Sequence, residues 1–400
     1  MPGWLFALLV AAFVFYTDDY VIAGVLLEIS DDLAVSESAA GQLITAFSLT
    51  VAVVAPVAAV AFARTSRRTL FSLALTVFIA ANLAASLSTS LVMLMILRVV
   101  AAGAAAAATP ALFSFAAEHA PPARTGRYVA IVALGVTGSI AAGVPIGTWI
   151  GGHLGWRATF IAVALAGAAS LVLLLVLLPR HADEDTAVSS VAEQIRALAA
   201  PAISLGLLAN MVLMTGSMMM LTYLAAYLDT VTGATVEQRA LAFGLSGIAG
   251  MLGIWGGGAA TDRWNPDRAL AIGVGTFTAT MLGLWLCAIA APAPILLVLV
   301  IGTVWGAASF WNSPAIQARI YMLAGPVAPQ ALALNTSGTY LGVAVGGALG
   351  GVTLASLGET ALPAVAGVFG VCALVLLWAA ARSVDRATAT TASDGATAST

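Results

Sequence analysis

Apolar residues in this chain come in runs of about twenty, and one run follows another with only short polar breaks. A run of that length crosses the hydrocarbon of a bilayer, where every backbone N–H and C=O must be paired within the protein. Helices and closed barrels are the only shapes that meet this condition, and runs this long select helices. The balance of residues agrees: 61% of the 400 residues are hydrophobic and 8% charged, whereas soluble domains carry about a quarter charged. Hydropathy and turn residues predict twelve spans, at 4–27, 39–63, 69–88, 91–117, 127–150, 158–179, 201–228, 239–261, 268–290, 293–317, 329–356 and 360–381. The expected fold is therefore all-α and integral to the membrane. The first run carries two Asp and follows no basic segment, so it is expected to be a permanent span and not a cleaved leader.

A repeat divides the chain. Gly135, Ser139, Gly143, Gly147 and Gly151 fall four residues apart in span 5, which places them on one narrow face. Small residues let membrane helices approach closely where no hydrophobic force drives them together. Pro145 lies in the same span and removes a backbone hydrogen bond. A shift of 203 residues carries Gly135, Gly143, Gly147 and Gly155 onto Gly338, Gly346, Gly350 and Gly358, with Ser139 onto Gly342. Two pseudo-symmetric six-helix bundles follow, the signature of many transporters. The expected boundaries are residues 1–180, a cytoplasmic connection at 181–200, residues 201–382, and an Ala/Thr/Ser-rich cytoplasmic tail at 383–400 that is expected to be disordered.

All 15 basic residues are Arg. With the N-terminus inside, twelve of them fall on the cytoplasmic side, Arg157 and Arg239 fall outside, and Arg98 lies within span 4. The positive-inside rule then places both termini in the cytoplasm. The net charge of −3 carries no implication of a nucleic-acid partner. Cys287 and Cys372 stand alone in apolar runs and read as small core residues. The three histidines fall in loops, so no metal site is expected and no cofactor is implied.

Three charged residues sit where lipid should be. Span 1 carries Thr17-Asp18-Asp19-Tyr20 and span 4 carries Arg98. At 1.5 Å per residue Asp19 is ~12 Å below the outer end of span 1, and Arg98 ~10 Å below that of span 4. The acidic pair and the arginine can share one level. A mid-span charge costs about 2.5–3.5 kcal/mol on insertion scales, so it faces a partner or a wet cavity. Successive helix residues point about 100° apart, so Asp18 and Asp19 cannot both face one cavity. One reading makes them loop-like charges and Arg98 an anchor; the other makes a carboxylate that binds and releases protons beside Arg98. In span 7, Asn210, Met214 and Tyr223, in span 10, Trp305, Trp311 and Asn312, and in span 11, Asn335 and Tyr340 are candidates to line a substrate cavity with Tyr20. Met and aromatic stripes also serve as packing, whereas an amide in hydrocarbon needs a partner. Asp262-Arg263, in the loop after span 8, could latch the two halves together. A membrane-embedded enzyme would need a catalytic constellation at membrane depth, and none is found.

These segments resemble the major facilitator superfamily, and within it the twelve-helix drug/proton antiporter branch with its arabinose-type efflux permeases and chloramphenicol-resistance exporters. The resemblance runs through TDDYVIAGVLLEISDDL in span 1, Arg98 with Gly103, GVPIGTWIGGHLGWRATF in span 5, TYLAAYL in span 7 and LNTSGTYLGVAVGGALGG in span 11. It departs at Leu27-Glu28, where Leu-Pro is usual, and in the first cytoplasmic loop, which lacks the acidic residue of the Gly-x-x-x-Asp-Arg pattern. It departs again at the Ala104 to Ala108 run and at Tyr340, where Asn is common. The resemblance implies a proton-driven exporter of a small amphipathic compound, such as an amphenicol, working by alternating access as a monomer in the bacterial cytoplasmic membrane. On that analogy Asp19 carries the proton, Arg98 tunes it, and the glycine/proline stripes of spans 5 and 11 seal the interface between halves. Proton symport or facilitated uptake of a sugar or nucleoside is the alternative.

Overall fold

The computed structural model describes residues 1–62, 65–121, 124–179, 201–324 and 328–397. Twelve of its helices are long and apolar enough to cross a membrane. We number the spans α1 (Gly3–Gly24), α2 (Glu37–Ala61), α3 (Arg67–Ala85), α4 (Leu91–Glu118), α5 (Thr125–Leu154), α6 (Trp156–Leu177), α7 (Pro201–Thr222), α8 (Val236–Arg263), α9 (Pro266–Ile289), α10 (Ile295–Ala324), α11 (Ala328–Leu357) and α12 (Leu362–Thr397). Predicted and observed spans coincide to within a few residues at most ends. The connection expected at 181–200 lies outside the described residues. The tail expected to be disordered from Ser383 is instead helical as far as Thr397, because an alanine-rich run without proline simply continues α12. Cys287 is buried, as expected of a core residue, whereas Cys372 faces outward on α12.

The repeat read from glycine spacing is present in the packing. In the first half α1 packs on α5 and α6, α2 on α4, and α3 on α4 and α6. The second half repeats this with α7 on α11 and α12, α8 on α10, and α9 on α10 and α12. The halves meet along two seams, α2 against α11 and α5 against α8. Breaks recur as well: α1 yields to a short helix, Leu26–Asp32, as α7 yields to Leu224–Thr232. Gly155 and Gly358, paired by the 203-residue shift, both turn the chain with positive φ, 83° and 79°, a conformation that glycine adopts without steric cost.

Pro145 explains an irregularity in α5. Its ring would strike the carbonyl of Ala141, four residues back. The helix widens just there into a π-turn, Ser139–Gly143, in which the Val144 N–H reaches back to the Ser139 carbonyl. The glycine stripe does not face the other half, contrary to the expectation that it seals the interface. A Cβ on Gly135 would fall 2.6 Å from the Leu9 carbonyl of α1, and Gly143, Gly147 and Gly151 press on Thr17, Val21 and Val25. In the second half Gly342 and Gly346 press in the same way on α7, at the Met211 and Thr215 carbonyls. Each stripe thus binds the central helix of its own half, because the small face is the one that admits the closest neighbour. The α5–α8 seam uses the adjoining face: Pro145 lies against Gly244, and Ala141 against Gly247.

Candidate functional site

Asp18 and Asp19 part company at α1, as the helix angle requires. Asp18 turns into the first half, where its Oδ1 lies 2.7 Å from Nη1 of Arg98. Nη2 of Arg98 donates to the Asp18 carbonyl at 2.7 Å. Both side chains are enclosed, at 0% and 1% exposure, and the guanidinium carbon lies 4.3 Å from the Phe47 ring centroid. The ionic partner of Arg98 is therefore Asp18; the pairing considered for Asp19 is replaced because the residue 100° round the helix points elsewhere.

Asp19, 3% exposed, turns to the middle of the molecule. It lines a cavity of about 10 Å³ with Tyr16, Phe47, Val51, Ala105, Thr109 and Tyr340, about the least space that holds one water. Among the described residues its Oδ1 has no hydrogen-bond partner. Tyr340 comes from α11 of the other half and packs against the core of the first half. Tyr16 and Tyr20 stack on α1, with ring centroids 6.4 Å apart. Ala105 belongs to the alanine run, whose small side chains leave this space open. Of the residues suggested by the sequence, Asp19 and Tyr340 meet here; Tyr20 stacks on Tyr16, and Asp18 and Arg98 pair with each other. Tyr16 and Thr109 were not singled out from sequence, although Tyr16 precedes Asp19 by three residues and so shares its face.

The other cavity candidates disperse. Asn210 donates to Asn335 Oδ1 and to Thr339 Oγ1, both at 3.1 Å, joining α7 to α11. Met214 lies on the same contact, beside Gly342. Tyr223 sits at the α2–α7–α11 crossing, donating to the Gly347 carbonyl at 2.9 Å and pressing on Gly41. Trp305 is buried within the second half. Trp311 donates to the Ala269 carbonyl at 3.0 Å, and Asn312 lies against Gly273, so both face α9 rather than the centre.

Polar links between the halves gather at the end away from the termini. Arg239 of α8 meets Glu28 at 2.8 Å, His153 of α5 meets Glu237 of α8 at 3.1 Å, and Ser38 of α2 donates to the Gly351 carbonyl of α11 at 2.8 Å. Glu28 is the residue that departs from the family pattern, and a sequence alone does not show that it faces Arg239. Nearby, Arg157 meets Asp32 at 2.6 Å and holds that carboxyl below the ordinary carboxylate range, mainly by its hydrogen bond. At the terminal end the latch expected of Asp262 and Arg263 is not formed: both are exposed, and among the described residues neither has a partner. Two ion pairs there each lie within one half: Arg319 with Asp267 at 2.7 Å, with Arg319 also donating to the Ala202 carbonyl at 2.8 Å, and Arg67 with Glu118 at 3.7 Å.

Two like bundles around a buried carboxylate, with these polar links between them at one end, define a membrane transporter. Residues 8–326 match the Major Facilitator Superfamily, and the chain belongs to that family. It is 29% identical over 380 residues to the inner membrane transport protein YdhP of Escherichia coli (strain K12), covering 94% of this chain and 96% of that one. It is 30% identical over 362 residues to a chloramphenicol resistance protein of Streptomyces lividans, covering 88% and 90%. Among solved structures, a bacterial homolog of the human lysosomal transporter Spinster, in an inward-facing and occupied conformation, superposes with a TM-score of 0.75 at 18% identity, covering 95% and 96%.

Proposed function

We propose that this chain exports a small amphipathic compound in exchange for protons, with an amphenicol as the first candidate. The observation that carries the reading is Asp19: a buried carboxylate in a cavity between the halves, with an unpartnered oxygen, while its neighbour Asp18 is already neutralised by Arg98. A coupling ion acts only by binding one conformation better than the other, and a carboxylate facing the opposite bundle is placed to do that. The likeness to a chloramphenicol resistance protein supports export as the direction.

The protein is proposed to act as a monomer in the bacterial cytoplasmic membrane, in line with its likeness to an inner membrane transport protein. The arginine distribution puts both termini in the cytoplasm, so the tied end is external and the chain rests facing inward. Turning outward would break Arg239–Glu28, His153–Glu237 and Ser38–Gly351, and would bring Asp262 and Arg263 toward the closing cytoplasmic end.

Proteoliposomes under an imposed proton gradient test the proposal, with chloramphenicol as the first compound and Asp19→Asn beside the wild type. Protons moving counter to the compound in the wild type only is the expected result. Movement of protons with the compound would make the chain a symporter, and movement of the compound alone a facilitator; either result overturns the antiport reading.

A further inference from the structure

Tyr340 crosses from one half into the other. It belongs to α11, yet it packs against the apolar core of the first half, and among the described residues of that core it is the one contributed by the second half. The Asp19 cavity repeats the pattern. Seven of its eight lining residues come from α1, α2 and α4, and the eighth is Tyr340. A change of charge at Asp19 therefore meets the second half at this one side chain.

The hydroxyls of Tyr340 and Tyr16 are hydrogen-bonded to each other across the boundary between the halves. Tyr16 stands three residues before Asp19 on α1 and so shares its face. A phenol both donates and accepts. With Tyr340 donating to Tyr16, the Tyr16 O–H is left to point at the carboxylate, whose Oδ1 has no hydrogen-bond partner among the described residues. The cavity of about 10 Å³ has room for the one water that would complete this chain. The other groups that face Asp19 are already paired or neutral. Asp18 and Arg98 hold each other at 2.7 Å, and Tyr20 is a phenol stacked on Tyr16. From α2 and α4 come Phe47, Val51, Ala105 and Thr109, the last with its hydroxyl donating to the Ala105 carbonyl at 2.7 Å.

We propose that Tyr340, through Tyr16, is the positioning residue by which ionised Asp19 holds the second bundle against the first. The chain from Tyr340 to Tyr16 to water to carboxylate ends on a negative charge. Hydrogen bonds to a charged group are roughly twice as strong as neutral ones, and each bond in a chain polarises the next. A proton on Asp19 removes the charge and leaves only neutral bonds. The tie is therefore present at high pH and is lost as pH falls. An exchanger that changed sides with its site empty and ionised would leak, moving its compound with no proton in return. The tie blocks that step, and a proton on Asp19 releases it. The inference rests on the proton-exchange reading above and adds the contact that enforces it.

The test reads the distance across the external end by electron spin–spin coupling, with the full chain in lipid nanodiscs and no substrate added. Spin labels go on Leu87→Cys and Ala290→Cys, exposed positions that the 203-residue shift places in corresponding loops. The parent chain carries Cys287→Ala and Cys372→Ala, so that only the labels react. The parent should show mainly the short, closed distance in alkaline buffer. In acid the longer distance should gain about tenfold in population, the worth of a charge-assisted bond over a neutral one. Tyr340→Phe and Tyr16→Phe each keep the ring and remove one hydroxyl, so packing is preserved. Both should show the longer distance equally in acid and alkali, as should Asp19→Asn. A Tyr340→Phe chain that answers to pH as the parent does would overturn the proposal. If Asp19→Asn is then blind to pH, the proton reading of Asp19 still stands. A parent indifferent to pH, or a response that survives Asp19→Asn, would sink both.

Discussion

The two halves share a packing plan but not an interior chemistry. In the first half α1 and α4 meet through charge, with Asp18 and Arg98 sealed at 2.7 Å and Asp19 left over toward the centre. In the second half α7 meets α10 partly through neutral groups, with Ser217 donating to Ser309 at 2.8 Å while Asn210 reaches α11, and the charge on α10, Arg319, pairs with Asp267 of α9 instead of with a carboxylate of α7. A charge in hydrocarbon is held by its partner and fixes one geometry, whereas hydroxyls and amides can exchange partners at small cost. On the proposed reading, ion coupling would belong to the first bundle and adaptable packing to the second.

The largest effect is expected from removing the odd carboxylate. Asp19→Asn should lower proton-coupled chloramphenicol exchange by at least about 100-fold, the low end for a positioned proton-transfer group, while the protein still purifies as a single folded species. A comparable loss in Asn210→Ala would erase the contrast between the halves. Next comes the buried pair. Arg98→Ala leaves Asp18 unpaired and should cost about 3–5 kcal/mol in thermal or denaturant unfolding in detergent. The double variant Asp18→Asn with Arg98→Ala should regain much of it; if it does not, the pair is not what fixes α1 to α4.

Gly143→Val and Gly346→Val probe what the halves have in common. Each presses a branched side chain on the central helix of its own bundle, at Thr17 and at the Thr215 carbonyl, and each should cost about 1–3 kcal/mol by overpacking. Unchanged stability with a shift in which side of the membrane is accessible would instead place the stripes at the half interface. Asn210→Ala, which removes an interhelical amide bond, should cost only about 0.6–1.7 kcal/mol, the range for such bonds between membrane helices.

The smallest effect lies at the exposed Asp32–Arg157 pair. Because Arg157 lowers the Asp32 pKa in the folded chain, the pair stabilises at pH above the ordinary carboxylate range and loses that contribution as pH falls through the lowered value. Wild type and Asp32→Asn should differ slightly and constantly near neutral pH and converge in strong acid. A gap that widened on acidification would reverse the sign.

The spans were legible because each apolar run is long enough to leave one solution, and the twofold plan because glycine spacing repeats at 203 residues. Buried Asp18, Asp19 and Arg98 stood out because a charge in a span always needs a reason. Their pairing did not, since residues one apart on a helix differ in direction and not in composition. The direction of the glycine stripe was hidden for a related reason: spacing shows that a face is small, not which neighbour fills it. The pairing of Glu28 with Arg239 escaped notice because charges at span ends obey the topology rule whether or not they meet. Trp311 and Asn312 show the reverse error, in which attractive side chains belong to packing against α9.

Arg98 and Asp18 together cancel, which leaves Asp19, among the described residues, as the carboxyl group without an ionic partner in the buried middle of the first half. Loading a proton there takes its charge from minus one to zero, and unloading restores it. If the exported compound is neutral, each turn of the proposed cycle moves one net positive charge inward. A membrane potential of about 100 mV is worth about 2.3 kcal/mol per charge moved. Voltage alone, with no pH difference across the membrane, would then be enough to drive the compound out, and the transporter would register as an electrical current.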